Sequence, residues 1–231
     1  MFRAAALTVL LVTLAAPPHA AHAGGTRPPK EVQSVSNLNA QLLAAAGAGD
    51  ARRVAALLAA GASPDAADAS GRTALTAAAA GDHVAAARVL VAAGADPDRQ
   101  DNARNNALLI TGETGSVAML REILKAHPDL TRTNRFGGTA LIPAADRGHL
   151  DYVRELLATT RIDVNHVNNL GWTALLEAVI LGDGGPAHTA IVRALLAHGA
   201  DRTLADPEGV TPLQHAQRAG YREMIRLLSA P

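Results

Sequence analysis

A short apolar phrase recurs along this chain at a nearly fixed interval. It reads GRTAL from Gly71, GGTAL from Gly137, GWTAL from Gly171 and GVTPL from Gly209. The closing leucines are Leu75, Leu141, Leu175 and Leu213. Leu108 of NNALL fills the gap at the same phase, so successive spacings are 33, 33, 34 and 38 residues. A second marker keeps step: GASPD from Gly61, GADPD from Gly94 and GADRT from Gly199. A unit of this length cannot bury its own apolar face, so the units must stack and share a core.

Within a unit the residues spell out two helices. Thr73, Thr139, Thr173 and Thr211 precede an apolar run, where a hydroxyl can accept from the free amides of a helix start, and Pro212 suits the first helical position. Short first helices are predicted over 74–80, 107–114, 140–147, 174–181 and 212–219. A glycine-containing turn follows, then a longer second helix marked by Leu57/Leu58, Leu156/Leu157, Leu195/Leu196 and Leu227/Leu228. Gly61, Gly94 and Gly199 then end that helix in the left-handed conformation glycine adopts cheaply. Apolar residues make up 48% of the chain but aromatics only 2%, so the core is alanine and leucine and the helices must pack closely.

The motifs at 71–98, 137–157 and 209–220 resemble the ankyrin repeat family, over roughly residues 37–229. The resemblance implies an all-α repeat solenoid, a curved stack of helix pairs with β-turn fingers projecting from one side. Six units are expected, at 37–67, 68–100, 101–133, 134–167, 168–205 and 206–231. It also implies a non-catalytic protein-binding scaffold, and that His83 and His149 bond backbone in the inter-helix turn. A second implied role is a stress-protective accessory to a periplasmic enzyme such as a catalase, since some bacterial ankyrin proteins are linked with peroxide defence.

Residues 1–23 read differently. Arg3 precedes an apolar run from Ala4 to Ala16, the Pro17-Pro18 break and Ala21-His22-Ala23. This is the pattern of a secretory signal cleaved after Ala23, the run being short for a bilayer. The alanine-rich style points to a bacterial source, hence to a periplasmic or secreted protein. Gly24 to Ser36 is expected to be a flexible leader. Once the signal is removed, no stable membrane insertion and a monomer are expected.

The chain has no cysteine, and its 21 basic residues balance its 21 acidic ones. Disulfides and thiolate chemistry are thereby excluded, and no strong basic field exists to draw nucleic acid. His127, His166, His188, His198 and His215 lack the spacing of a metal site. The glycines at 47–49 and 112–115 lack the lysine of a phosphate loop. No serine has a recurring base. No cofactor, metal or catalytic residue is assigned.

Departures from the repeat nominate the partner surface. Unit three carries Arg104 and Asn106 where its neighbours have glycine and threonine, and Thr111-Gly112 where they have alanines. Either this is drift, or Gly112 permits a close approach and Arg104, Asn105 and Glu113 face a partner. Leu181–Thr189 adds about five residues to unit five, as a plain insertion or a contact loop. Phe136 and Trp172 fall on the fingers of units four and five with Arg135, Asn169 and Leu170. Side-by-side fingers would bring the two rings near each other, as a stiffening pair, a contact surface, or both. Asp146, Arg147, Glu177 and Arg218 lie at or beside the concave phase that the resemblance implies. The assigned partner-binding residues are Arg104, Asn105, Glu113, Arg135, Phe136, Asp146, Arg147, Asn169, Trp172 and Arg218.

Overall fold

The computed structural model describes the backbone of residues 30–230 and the side chains of residues 34–230; the expected signal segment and the start of the leader lie outside them. Twelve helices pair off among the described residues: α1 (Lys30–Gly47) with α2 (Ala51–Ala59), α3 (Ala74–Ala80) with α4 (Val84–Ala92), α5 (Ala107–Thr114) with α6 (Val117–Leu124), α7 (Leu141–Asp146) with α8 (Leu150–Thr159), α9 (Ala174–Ile180) with α10 (Pro186–Ala197), and α11 (Pro212–Ala219) with α12 (Arg222–Ser229). Helix α1 thus starts at Lys30, inside the stretch expected to be a flexible leader. Past Pro28-Pro29, the residues from Lys30 carry no helix breaker and extend α1.

One core runs through the stack. The phase-marking leucines Leu75, Leu108, Leu141 and Leu175 are buried, and so are Leu57, Leu90, Ile123, Leu156 and Leu195 of the second helices. Each contributes about 2 kcal/mol by leaving water. Leu213, in the last unit, is covered from one side only and stays half-buried. The alanines at 78, 79, 144 and 145 are sealed between helices.

Each finger is a turn built on one Asp or Asn. Its side-chain oxygen accepts two amides: Ser70 and Arg72 on Asp68, Ala103 and Asn105 on Asp101, Phe136 and Gly138 on Asn134, Leu170 and Trp172 on Asn168, and Glu208 and Val210 on Asp206. The left-handed position of these turns is glycine at 71, 137, 171 and 209, and Arg104 in unit three. His127 takes a second left-handed position in that unit, where its neighbour has Gly94. Fingers are laced together: the Asn102 amide donates to Ser70 O and the Asn169 amide to Phe136 O.

A second lacing joins the inter-helix turns. His83 Nε2 meets Gly47 O at 2.9 Å, His149 Nε2 meets Glu113 O at 3.1 Å and His188 Nε2 meets Asp146 O at 2.8 Å, while the Tyr221 hydroxyl donates to Gly182 O at 2.9 Å. Each ring lies against a turn glycine of the preceding unit. A methyl group built on Gly49, Gly115 or Gly184 would collide with it. Ser116 stands at this place in unit three and caps α6 instead.

Two expectations need correction, and one departure from the repeat is explained. Thr73, Thr173 and Thr211 cap their helices, but Thr139 does not: its hydroxyl is buried without a partner and α7 starts late. Elsewhere the residue four after the cap donates to the cap carbonyl, as Ala77 does to Thr73 and Glu177 to Thr173. In unit four that residue is Pro143, which has no N–H, so Ile142 donates to Thr139 O and the turn tightens. The missing threonine of unit three is replaced by Asn106, whose side chain accepts from Leu109 N. The Leu181–Thr189 insertion is only partly a loop, because Pro186 at the first helical position starts α10 early.

Candidate functional site

A groove of about 230 Å³ crosses units three to five. Ile142 and Pro143 on α7 form part of its lining, and Asn134 and Asn168 lie at the finger bases. Phe136 and Leu170 stand over it from adjacent fingers, 56% and 54% exposed, the largest such exposures among the big apolar side chains described. Glu113, Asp146, Arg147 and Glu177 supply its charge. An adjoining cavity of about 380 Å³ shares Glu113, Asn134, Phe136 and Arg147 and adds Asn105 and Arg135.

The pairing of Phe136 with Leu170 follows from finger register. Each is third in its turn, counting from Asn134 and Asn168, and the bond from Asn169 N to Phe136 O holds the turns level. Trp172 is fifth, level with Gly138, and is half-buried outside the lining. Finger register thus puts Leu170, with Phe136, in the groove lining and Trp172 outside it. The Arg135 guanidinium caps the Phe136 ring from 4.7 Å, a cation–π contact that holds the ring upright.

The charges differ in how they are satisfied. Arg147 binds Glu113 at 2.5 Å. Glu177 is buried, 6% exposed, and its carboxylate accepts from Asn168 Nδ2 at 2.8 Å. Burial first, and then the Asp146 charge, push Glu177 up to about 7. The outer helices are settled by contrast. Glu122, on α6, is held below the usual carboxylate range by Arg88 and then Lys125, with Arg121 and Glu155 paired beside it.

Of the residues nominated from sequence, Glu113, Phe136, Asp146 and Arg147 line the groove, and Asn105 and Arg135 line its extension. Arg104 reaches back to the Thr133 hydroxyl, Asn169 binds the neighbouring finger, and Arg218 is exposed on α11 outside both cavities. Thr111-Gly112 has a packing cause: the Thr111 hydroxyl meets the buried Tyr152 hydroxyl at 2.8 Å, and a methyl on Gly112 would sit 2.2 Å from Ala140 O. The sequence reading places Leu170 on a finger and Glu177 at the concave phase without assigning either to the partner surface, and it misses the finger bases Asn134 and Asn168. Position within the repeat carries the signal for some of them: Leu170 is level with Phe136, and Asn134 with Asn168, whereas Glu177 is level with Pro143 and His215 and shows its burial only in the stack. Another concavity, about 550 Å³ between units one and two, is lined by Leu43, alanines and glycines with Asp68 and Arg72 and has no ring in its lining.

Among the described residues no group of three or more His, Cys, Asp or Glu is placed to hold a metal, and no helix is long and apolar enough to cross a membrane.

Comparison with known proteins gives one answer. The family model described as ankyrin repeats matches in three copies, at residues 27–101, 108–203 and 163–231. The crystal structure of an ankyrin repeat domain from Acinetobacter baumannii is 48% identical with a TM-score of 0.78, over 81% of this chain and 95% of that one. The ankyrin repeat protein YahD of Escherichia coli strain K12 is 51% identical over 74 residues, 32% of this chain; the matched stretch spans only 37% of YahD. A chain in the complex of a predatory endopeptidase from Bdellovibrio bacteriovorus with an immunity protein is 26% identical, with a TM-score of 0.69 over 82% of this chain and 96% of that one.

Proposed function

The chain belongs to the ankyrin repeat family, and on that footing we propose that it is a non-catalytic scaffold holding a protein partner in the groove of units three to five. The observation that carries this reading is the exposed Phe136–Leu170 pair above half-buried charge. Soluble folds rarely leave two large apolar side chains together over an open cleft unless something covers them. Membership adds that ankyrin repeats are protein-binding modules, and the Bdellovibrio structure is itself a complex between two proteins.

The test is site-specific crosslinking of the full chain in its native host, with a photoreactive residue in place of Phe136 or, as control, Arg88 on the outer row. The expected result is one adduct from position 136, lost when Leu170→Ser is added. Equal adducts from both positions would place the partner elsewhere. A catalase recovered at position 136 would turn the scaffold reading into the accessory one.

We also propose export, from the order of Arg3, the apolar run and Ala21-His22-Ala23. Amino-terminal sequencing of protein purified from its host should begin at Gly24. A chain that begins at Met1 and stays in the cytosol would overturn this.

A further inference from the structure

We propose that the unit-five end of the groove receives a lysine or arginine side chain from an extended segment of the partner protein, with an apolar neighbour of that cation resting on Phe136 and Leu170. The inference rests on the groove being the partner site and names the chemistry it selects.

Three observations carry it. First, the groove holds three acids, Glu113, Asp146 and Glu177, against Arg147 alone, and Arg147 is occupied by Glu113. No ion pair among the described residues involves Asp146 or Glu177. Second, the next unit shows what the fold does when it supplies its acid with a partner itself. The counterparts of Asn168 and Glu177 in unit six are Asp206 and His215, which meet at 2.6 Å. Unit five keeps an acid at the second position, beside Asp146, with no cation of its own. Third, charge changes sign along the cleft. The extension on the unit-three side carries Arg135 and Arg147 against Glu113, so a basic side chain is favoured at one end and repelled at the other. A free inorganic cation has no use for Phe136 and Leu170, which flank the acids; a polypeptide fills both.

A bound cation also reverses the push that burial and Asp146 exert on Glu177, so binding near neutral pH expels a proton. Helices α7, α10 and α11 pack against α9. Their ionisable groups besides Asp146 are Arg147 at the end of α7, His188, Arg193 and His198 on α10, and His215 and Arg218 on α11. His188 and His215 are already bonded to Asp183 and Asp206.

The test is to pan a displayed library of random dodecapeptides on the full chain and on D146N/E177Q, with circular dichroism to verify folding. The wild-type chain should enrich peptides in which Lys or Arg adjoins an apolar residue. Replacing that cation with citrulline or norleucine should weaken binding by about tenfold to the wild type and by less than about twofold to D146N/E177Q. Calorimetry at pH 7 in two buffers should show proton release with the wild type and none with E177Q. If the selected peptides carry no cation, or the cation counts equally on D146N/E177Q, the inference falls. F136A/L170A separates it from the reading beneath. Binding abolished by F136A/L170A but indifferent to the cation leaves the groove and removes the cation. Binders that ignore F136A/L170A, or a library that enriches nothing, overturn both.

Discussion

Units five and six build the same finger with opposite chemistry at its base. In unit six, burial pushes Asp206 up, but the Val210 amide, the His215 ring and the Glu208 amide outweigh it and hold the carboxyl below its ordinary range. In unit five an Asn takes over the turn-forming role, and the acid moves to Glu177, where burial and Asp146 keep it protonated to about pH 7. One base is an internally satisfied pair, the other a protonated acid at the edge of a cleft. The backbone is indifferent to the exchange: Asn168 N still bonds Trp172 O at 2.9 Å and Asp206 N bonds Val210 O at 3.1 Å. Finger shape and finger chemistry are therefore set by different atoms of the same two residues, and a repeat protein can vary the second without disturbing the first.

The largest effect should come from forcing unit six's acid into unit five. Asn168→Asp places a second carboxylate against Glu177 and should cost about 3 kcal/mol at pH 8, read by urea denaturation. Adding Glu177→His recreates the unit-six pair and should bring the loss back to within about 1 kcal/mol. If the double variant is no better than the single, the two bases are not interchangeable.

Next is Glu177→Gln. The folded chain keeps a proton that the unfolded chain releases at about 4.5, so wild-type stability falls as pH rises from about 4.5 to about 7 and stays low above it. The variant lacks this loss. It should exceed the wild type by about 2 kcal/mol at pH 8 and match it near pH 4. A gap that does not change with pH would show that Glu177 is not the titrating group.

His215→Ala probes the other base. Asp206 stabilises the fold above the ordinary carboxylate range, and this is lost as pH falls through its lowered value. Without the ring, the chain should be less stable at pH 8 and acid unfolding should begin at higher pH in denaturation curves, the gap from the wild type closing as pH falls through the carboxylate range. The smallest effect belongs to unit four, where Pro143 stands at the same position as Glu177 and His215. Pro143→Ala should restore the bond to Thr139 O, visible as a protected amide at 143 by hydrogen exchange. Net stability should change by under about 1 kcal/mol, since the stiffening of the unfolded chain is lost as well.

Much of this was legible in sequence because a repeat prints its own alignment. Helix α3, α5 and α11 boundaries fall on the expected residues, as the leucine phase, the caps and the turn glycines agree there. The failure of Thr139 to cap was written in Pro143, but needed the rule that a cap carbonyl requires an N–H four residues on. Leu170 was passed over beside Phe136 because ring size drew attention to Trp172, whereas turn register decides which finger residues line the groove. The early start of α10 was hidden for another reason: GDGGP reads as loop, and its proline both ends the loop and opens the helix. His188 looked unlike His83 and His149 until counted back from Leu195 instead of forward from Thr173. Burial of Glu177 depends on its neighbours in units four and six, which no single repeat displays.

The ring-to-carbonyl lacing described above skips one joint. Units one and two are strapped by His83, and units three to six by His149, His188 and Tyr221, but Ser116 sends no ring back to the turn of unit two. The joint between the block of two and the block of four is thus the one held without a ring, by helix packing, the Arg88–Glu122 pair and the Asn102 bond to Ser70 O. Cutting that pair with Arg88→Ala should let the smaller block peel first under mild denaturant, leaving the cleft of units three to five intact on the larger.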